Sequence, residues 1–429
     1  MLTSEQNKLL TDIEPGSRMG DLLRRYWHPI AGRDDLKNRY TMPIRLFGED
    51  LLLFRDRTGK LGLIGESCPH RRASLANGIP TAEGIRCPYH GWMFNQEGIC
   101  VDQPFETGKN ALRGAKAIPA YPVEELGGMI FAYMGPLPAP ELPKLSPFLM
   151  HGSIRAVGKY VIPCNWLQCM ENSADPVHTE WLHGALAEFV READGRKTTA
   201  FRSHAKIDFV ENEFGFVKRR LYVGQSEDAQ DWTVGHPVIF PNMLCTGNNG
   251  AGWQQRSMQI RVPIDNENTL HLWYTVLVAP EGVVTPQHLL EDVPVYEPKI
   301  KNADGTYNLD ITDGQDIMAW VTQGKIADRS KEFLGASDKG IVMYRRMLRR
   351  ELDKIESGED PLGVQRSAEA PVIELQVERG KQIHGDGFRR LMTRNAFAFS
   401  PHFEEVVTLF TQAIPNDGGP LVSVAEAVA

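Results

Sequence analysis

The spacing of apolar positions divides the chain into three stretches. Residues 1 to about 40 carry apolar residues in short clusters, Leu9-Leu10 and Leu22-Leu23, ending near Trp27-His28-Pro29. They read as short helical pieces packed on a larger body. From Pro43 to about Pro136 the apolar runs shorten to Ile44 to Phe47, Leu51 to Phe54 and Leu61 to Ile64, with the turn Asp56-Arg57-Thr58-Gly59 between the last two. Gly91 to Phe94 and Asn95 to Gly98 suggest a further hairpin, and Met129 to Met134 a last strand. Short strands with turn punctuation predict a small all-β unit of about 100 residues.

The closely spaced prolines of Pro136-Leu137-Pro138-Ala139-Pro140-Glu141-Leu142-Pro143 resist regular pairing, so the domain boundary is placed there. Beyond it, strand-like stretches (214 to 223, 255 to 263, 269 to 278) alternate with helical ones (166 to 187, 315 to 325, 340 to 356) without a regular βαβ rhythm. That pattern predicts an α+β domain on an antiparallel sheet. The expected division is a helical extension over 1–40, the β unit over 41–140 and the second domain over 141–429, with a surface tail from Asp417 on.

The 429 residues carry 47 Lys plus Arg against 55 Asp plus Glu, a formal net charge of −8. This argues against a nucleic-acid surface or a polybasic membrane contact. No apolar run approaches the roughly 18 residues of a membrane span, and the first residues lack a basic flank and apolar stretch, so a cytoplasmic protein is expected. Six cysteines are too sparse for a disulfide scaffold.

Two of those cysteines fall in mixed pairs inside the β unit, Cys68-Pro69-His70 and Cys87-Pro88-Tyr89-His90. Four such donors on two loops point to a metal. A closed tetrahedral zinc site is the competitor, but zinc sites usually pair Cys with Cys and His with His. The mixed pairs let Cys68 and Cys87 hold one iron and His70 and His90 the other, the ligand set of a Rieske 2Fe-2S centre. Neutral histidines lower the negative charge on such a cluster and raise its potential. Cys100, Cys164, Cys169 and Cys245 form no second cluster motif and read as small apolar residues.

The second domain opens with Asp175-Pro176-Val177-His178-Thr179-Glu180-Trp181-Leu182-His183. On an ideal helix His178 and His183 lie about 140° apart, too wide for a clamp, so the segment must be irregular, and Pro176 supplies a reason. Two histidines and one carboxylate form the facial triad of non-haem iron oxygenases. Candidates for the carboxylate are Asp310, Asp313 and Asp316. Asp175 before Pro176 also reads as a helix N-cap.

Taken together, Cys-x-His, Cys-x-x-His and Asp-x-x-His-x-x-x-x-His resemble the oxygenase component of Rieske non-haem iron aromatic-ring oxygenases. The likeness is to the phthalate dioxygenase and aryl O-demethylase branch, on Met19 to Trp27, Leu46 to Leu51, Cys68 to Leu75, Tyr133 to Pro136 and Pro163 to Trp166. The resemblance implies a Rieske β domain followed by a helix-grip catalytic domain, in a homotrimer. It implies Asp316 as the third ligand of a mononuclear Fe(II). Asp175 then corresponds to the carboxylate that bridges His178 to a cluster histidine of a neighbouring subunit.

It also implies electrons from a separate NADH-dependent reductase, O₂ as co-substrate, and oxidation of an aromatic compound. Hydroxylation of an aryl methyl ether would give a hemiacetal that collapses to a phenol and formaldehyde; attack on the ring would give a cis-dihydrodiol. Substrate position decides between them. The sequence has no Gly-rich dinucleotide fingerprint, in keeping with an external reductase. A Rieske electron carrier without oxygenase activity is the alternative class, but it needs only the β unit. Arg191, Arg196, Lys197 and Arg202 are candidates to hold a substrate carboxylate, and Arg345, Arg346, Arg349 and Arg350 form a basic helix face suited to solvent or reductase docking.

Overall fold

The computed structural model describes residues 1–106, 108, 111–196, 202–249, 252–377 and 386–413, so Lys197 and the tail from Asp417 lie outside the described residues. Its largest element is an eight-stranded sheet in the order His204–Asn212, Gly215–Tyr222, His236–Ile239, Met243–Asn249, Gln254–Asp265, Asn268–Val278, Ser153–Ile162 and Val295–Tyr296. All neighbours are antiparallel except the last pair. Directly opposed residues share a face, so the register lines up Phe216, Val238, Leu244, Gln259, Trp273 and Gly158 in one row. That face is covered by helices: Phe216 meets Tyr344 of the helix Lys339–Glu356, and Trp320 of Thr312–Val321 stacks on His271. The expected α+β class therefore holds.

The β unit contains two four-stranded sheets. Thr41–Leu46, Glu49–Arg55, Leu61–Gly65 and Ala120–Tyr121 form one; Ile79–Pro80, Ile85–Arg86, Met93–Phe94 and Cys100–Asp102 form the other. Leu52, Phe54, Ile64, Ile85 and Phe94 close a core that also takes in Cys68, Cys87 and Cys100.

One segment differs from the sequence reading. The helices Ser4–Thr11 and Arg18–Leu23 are present, but Trp27–Gly32, expected to continue the helical extension, is a strand pairing with Met129–Tyr133. All six of its residues are buried. Burial on both faces removes the polar alternation that marks a strand, and Pro29 sits where the register shifts. Gly32 is required at its end, since a Cβ there would overlap a methyl group of Val295.

His28 ties this strand to the large sheet: its Nε2 lies 2.8 Å from the Leu23 carbonyl oxygen and its Nδ1 3.2 Å from Asn242 Nδ2. A neutral ring donating at Nε2 and accepting at Nδ1 satisfies both. Burial pushes its pKa down to about 4. The unfolded chain, with a histidine near 6.5, binds the extra proton first, so stability falls as pH drops from about 6.5 to about 4, by on the order of 3 kcal/mol. Urea melts across this window should show the decline, and His28→Gln should flatten it at a lower overall stability.

A buried ion cluster holds the helix that leads into the second constellation. Glu171 of Trp166–Ser173 accepts from Arg329 at 2.7 Å and from Arg345 at 2.7 Å. Burial alone would raise the Glu171 carboxyl, and the two guanidinium groups reverse this and hold it below the usual range. Arg345 therefore does not belong to the basic surface expected of it; it points inward from a largely polar helix, a position that charge counting along the sequence does not reveal.

Candidate metal centres

The Cys68 and Cys87 loops are built alike. Each crosses between two paired residues, Ser67 with Ser74 and Arg86 with Met93. In each the cysteine N–H donates to the carbonyl five residues on (Ala73, Trp92), and its carbonyl accepts from the N–H four residues on (Arg72, Gly91). That fourth residue has positive φ in both loops, 60° at Arg72 and 78° at Gly91. The fold thus presents Cys and His twice from the same turn.

Both cysteines are buried, 1% and 2% exposed, whereas His90 is exposed. His70 stacks on Trp92 at 4.5 Å and meets His90 edge-on at 4.5 Å. His70 Nδ1 is buried without a hydrogen-bond partner, as expected of a metal donor. A single tetrahedral zinc would draw all four donors within about 4 Å of one another. Among the described residues, the group of three or more such donors that gathers within 4.8 Å is a different one, His178, His183 and Asp316. Two buried cysteines, with His70 half-buried and His90 exposed, suit two irons better than one zinc.

The second group owes its geometry to an irregular helix. After Trp166–Ser173 the chain breaks at Ala174 to Val177, restarts at His178–Glu180 and runs as a π-helical turn through Trp181–Leu186. A π turn bonds i to i+5, which brings residues five apart onto one face and closes the gap an α-helix would leave. His183 Nε2 lies 3.3 Å and His178 Nε2 3.8 Å from Asp316 Oδ1. Asp175 does two things: its Oδ1 accepts from Val177 N–H at 2.8 Å, as a cap does, and its Oδ2 lies 3.6 Å from His178 Nδ1.

Of the other carboxylates, Asp310 is at the surface with Arg196 at 2.7 Å. Asp313 is buried, accepts from the Ala396 N–H at 2.6 Å, and is pushed up to about 6 by burial and by Asp316. Of the arginines proposed for a substrate carboxylate, Arg196 pairs with Asp194 and Asp310, and Arg202 lies over the Tyr222 ring at 3.8 Å. Cys100, Cys164, Cys169 and Cys245 are all fully buried.

Sequence reading assigned no role to the residues that orient these donors. Gln315 Nε2 donates to the Leu309 carbonyl at 2.7 Å, which turns its Oε1 toward His183 Nδ1 at 2.8 Å. His183 is thereby fixed with its proton on Nδ1 and its Nε2 lone pair facing Asp316. Asn172 donates to Asp316 Oδ1 at 3.3 Å. Gln315→Leu should weaken iron binding at this site by about 10- to 100-fold, read by iron retention against a chelator, with the chain still folded.

Comparison with known proteins bears on both centres. Residues 26–122 match the Rieske 2Fe-2S domain and residues 301–398 the LigXa C-terminal domain like family. The 5,5'-dehydrodivanillate O-demethylase oxygenase subunit of Sphingobium sp. (strain NBRC 103272 / SYK-6) is 43% identical over 92% of this chain and 89% of its own length. The chain belongs to the Rieske non-haem iron oxygenases. This Rieske oxygenase is also 31% identical to the phthalate 4,5-dioxygenase oxygenase subunit of Pseudomonas putida, over 85% of this chain and 89% of that one. Pseudomonas putida CBB5 NdmA shares its fold, with a TM-score of 0.59 at 17% identity, covering 82% of this chain and 99% of that one. As a Rieske oxygenase the chain takes a 2Fe-2S cluster and a mononuclear iron, and the electron-carrier alternative falls away. No helix among the described residues is long and apolar enough to cross a membrane.

Proposed function

We propose that the chain is the oxygenase subunit of an O-demethylase acting on a methoxylated aromatic acid. The observation that carries this reading is 43% identity, across nearly the full length of both chains, to an O-demethylase oxygenase subunit. Cys68 and Cys87 would hold one iron of the cluster and His70 and His90 the other, within the unit assigned to 41–140. His178, His183 and Asp316 would hold the mononuclear iron of the unit assigned to 141–429. When bound, these groups supply one-electron transfer and the activation of O₂.

The protein's own part is orientation. Gln315 keeps the His183 proton on Nδ1, and Asn172 steadies the Asp316 oxygen that faces both imidazoles. With only three protein donors, such an iron would keep coordination positions free for substrate and O₂. Removal of one methyl group consumes one O₂, two electrons and two protons and yields the phenol, formaldehyde and water. The electrons come from a separate NADH-dependent reductase, directly or through a ferredoxin. We further infer a cytoplasmic homotrimer, in which Asp175 accepts from a cluster histidine of the adjacent subunit and links it to His178; the exposure of His90 supports that arrangement.

The test is reconstitution with a reductase, NADH and methoxylated or phthalate-like aromatic acids. Formaldehyde from a methoxylated acid is the expected product. A cis-dihydrodiol without formaldehyde would replace demethylation with ring dihydroxylation.

A further inference from the structure

In the strand Gly215–Tyr222 the side chains of Phe216, Lys218, Arg220 and Tyr222 lie on one face, and all four are buried. Phe216 belongs to the row that includes Trp273, so this is the helix-covered face of the sheet. The two cations differ in their surroundings. Arg220 has Asp231 at 3.8 Å and the Tyr222 ring at 5.4 Å. Lys218, only 5% exposed, makes no side-chain hydrogen bond and no ion pair with any described residue.

Lys218 stands directly opposite Phe209, and the Phe209 ring and the Ala174 carbonyl both close on Gly340, which sets this strand face beside the segment that carries Asp175. Arg220 and Arg261 repel Lys218, while Asp175 and Asp316 attract it from beyond contact distance. A buried ammonium without a counter-ion destabilises the fold unless it loses its proton or meets an anion. Burial, and then Arg220, bring Lys218 down to about 7, so an arriving anion would decide its protonation. Asp175 and Asp316 are committed to the histidines, which leaves the counter-ion to a ligand. Among the arginines that follow His183, Arg196 and Arg202 have other partners.

We propose that Lys218 is the anchor for the carboxylate of the aromatic substrate, gripping it by a charge-assisted hydrogen bond while the ring lies over His178, His183 and Asp316. This rests on the aromatic-acid reading above and goes beyond it by naming the group that selects acids over neutral aromatics.

The experiment is calorimetric titration of the iron-loaded protein with vanillate and with vanillamide, which lacks only the charge. Wild type should bind vanillate at least about tenfold tighter than the amide. Lys218→Met should bring the two ligands to parity by weakening vanillate alone, the retained amide affinity showing that the site is folded. Lys218→Arg should keep part of the preference. Equal weakening of both ligands in Lys218→Met, or an unchanged preference, overturns the proposal. Formaldehyde is measured in parallel with reductase and NADH. Its absence alongside an intact acid preference would contradict demethylation and leave the anchor standing; its presence with no acid preference would do the reverse.

Discussion

Asp316→Ala should lower substrate oxidation by roughly a thousandfold or more and reduce bound iron from about three to about two atoms per chain, with the visible spectrum of the cluster unchanged. The two imidazoles converge on one carboxylate oxygen, at 3.3 and 3.8 Å, so the alanine variant removes the atom around which they are arranged. It also frees the Asn172 amide and leaves Asp313 as the nearest acid on that helix. Asp313 cannot substitute, because its Oδ2 is held by the Ala396 N–H. His178→Ala should give the same iron count. A fully active Asp316→Ala protein with unchanged iron would remove the triad from the account.

Cys68→Ser should have a comparably large effect by a different route. The cluster would be lost, the protein would be colourless, and turnover driven by NADH would stop, while the mononuclear iron stayed bound. Cys68 is 1% exposed and sits in the core with Leu52, Phe54, Ile85 and Phe94, so the variant should also melt earlier. Replacing the exposed His90 should cost much less stability for the same loss of the cluster. Metal analysis, the reduced-state paramagnetic signal and a thermal melt separate these outcomes. A red-brown Cys68→Ser protein with normal turnover would contradict the assignment.

Much of this was legible in the chain because local spacing carries it. Cys68-Pro69-His70 and Cys87-Pro88-Tyr89-His90 sit on two short loops whose turns are the same, and the turn itself sets the Cys-to-His distance along the chain. The separation of His178 and His183 was informative even where it misfitted: an angle wrong for an α-helix called for an irregular one, and the π turn supplies it. Strand limits in the large sheet were readable to within a residue, as in Gly215–Tyr222, read as 214 to 223, and Asn268–Val278, read as 269 to 278.

What escaped was set by contacts distant in sequence. Spacing alone left Asp310, Asp313 and Asp316 open; the family resemblance pointed to Asp316, and the packing of Thr312–Val321 against the His178 helix is what sets it apart physically. Trp27–Gly32 lacks alternation because it is covered on both sides. Gln315 had a weak signal, standing beside Asp316, but its role needs the Leu309 carbonyl to fix its orientation. Lys218 and Arg220 left a clearer trace: two cations in phase with Phe216 and Tyr222 on a strand face that is otherwise apolar or aromatic.

The most direct measurement of the whole account is turnover of vanillate by the reconstituted protein in dioxygen labelled with heavy oxygen, with both products collected. The account predicts formaldehyde equimolar with the catechol product and no heavy oxygen in that catechol, since the aryl oxygen is retained when the hemiacetal collapses. Heavy oxygen on the ring, or substrate consumed without formaldehyde, would contradict it.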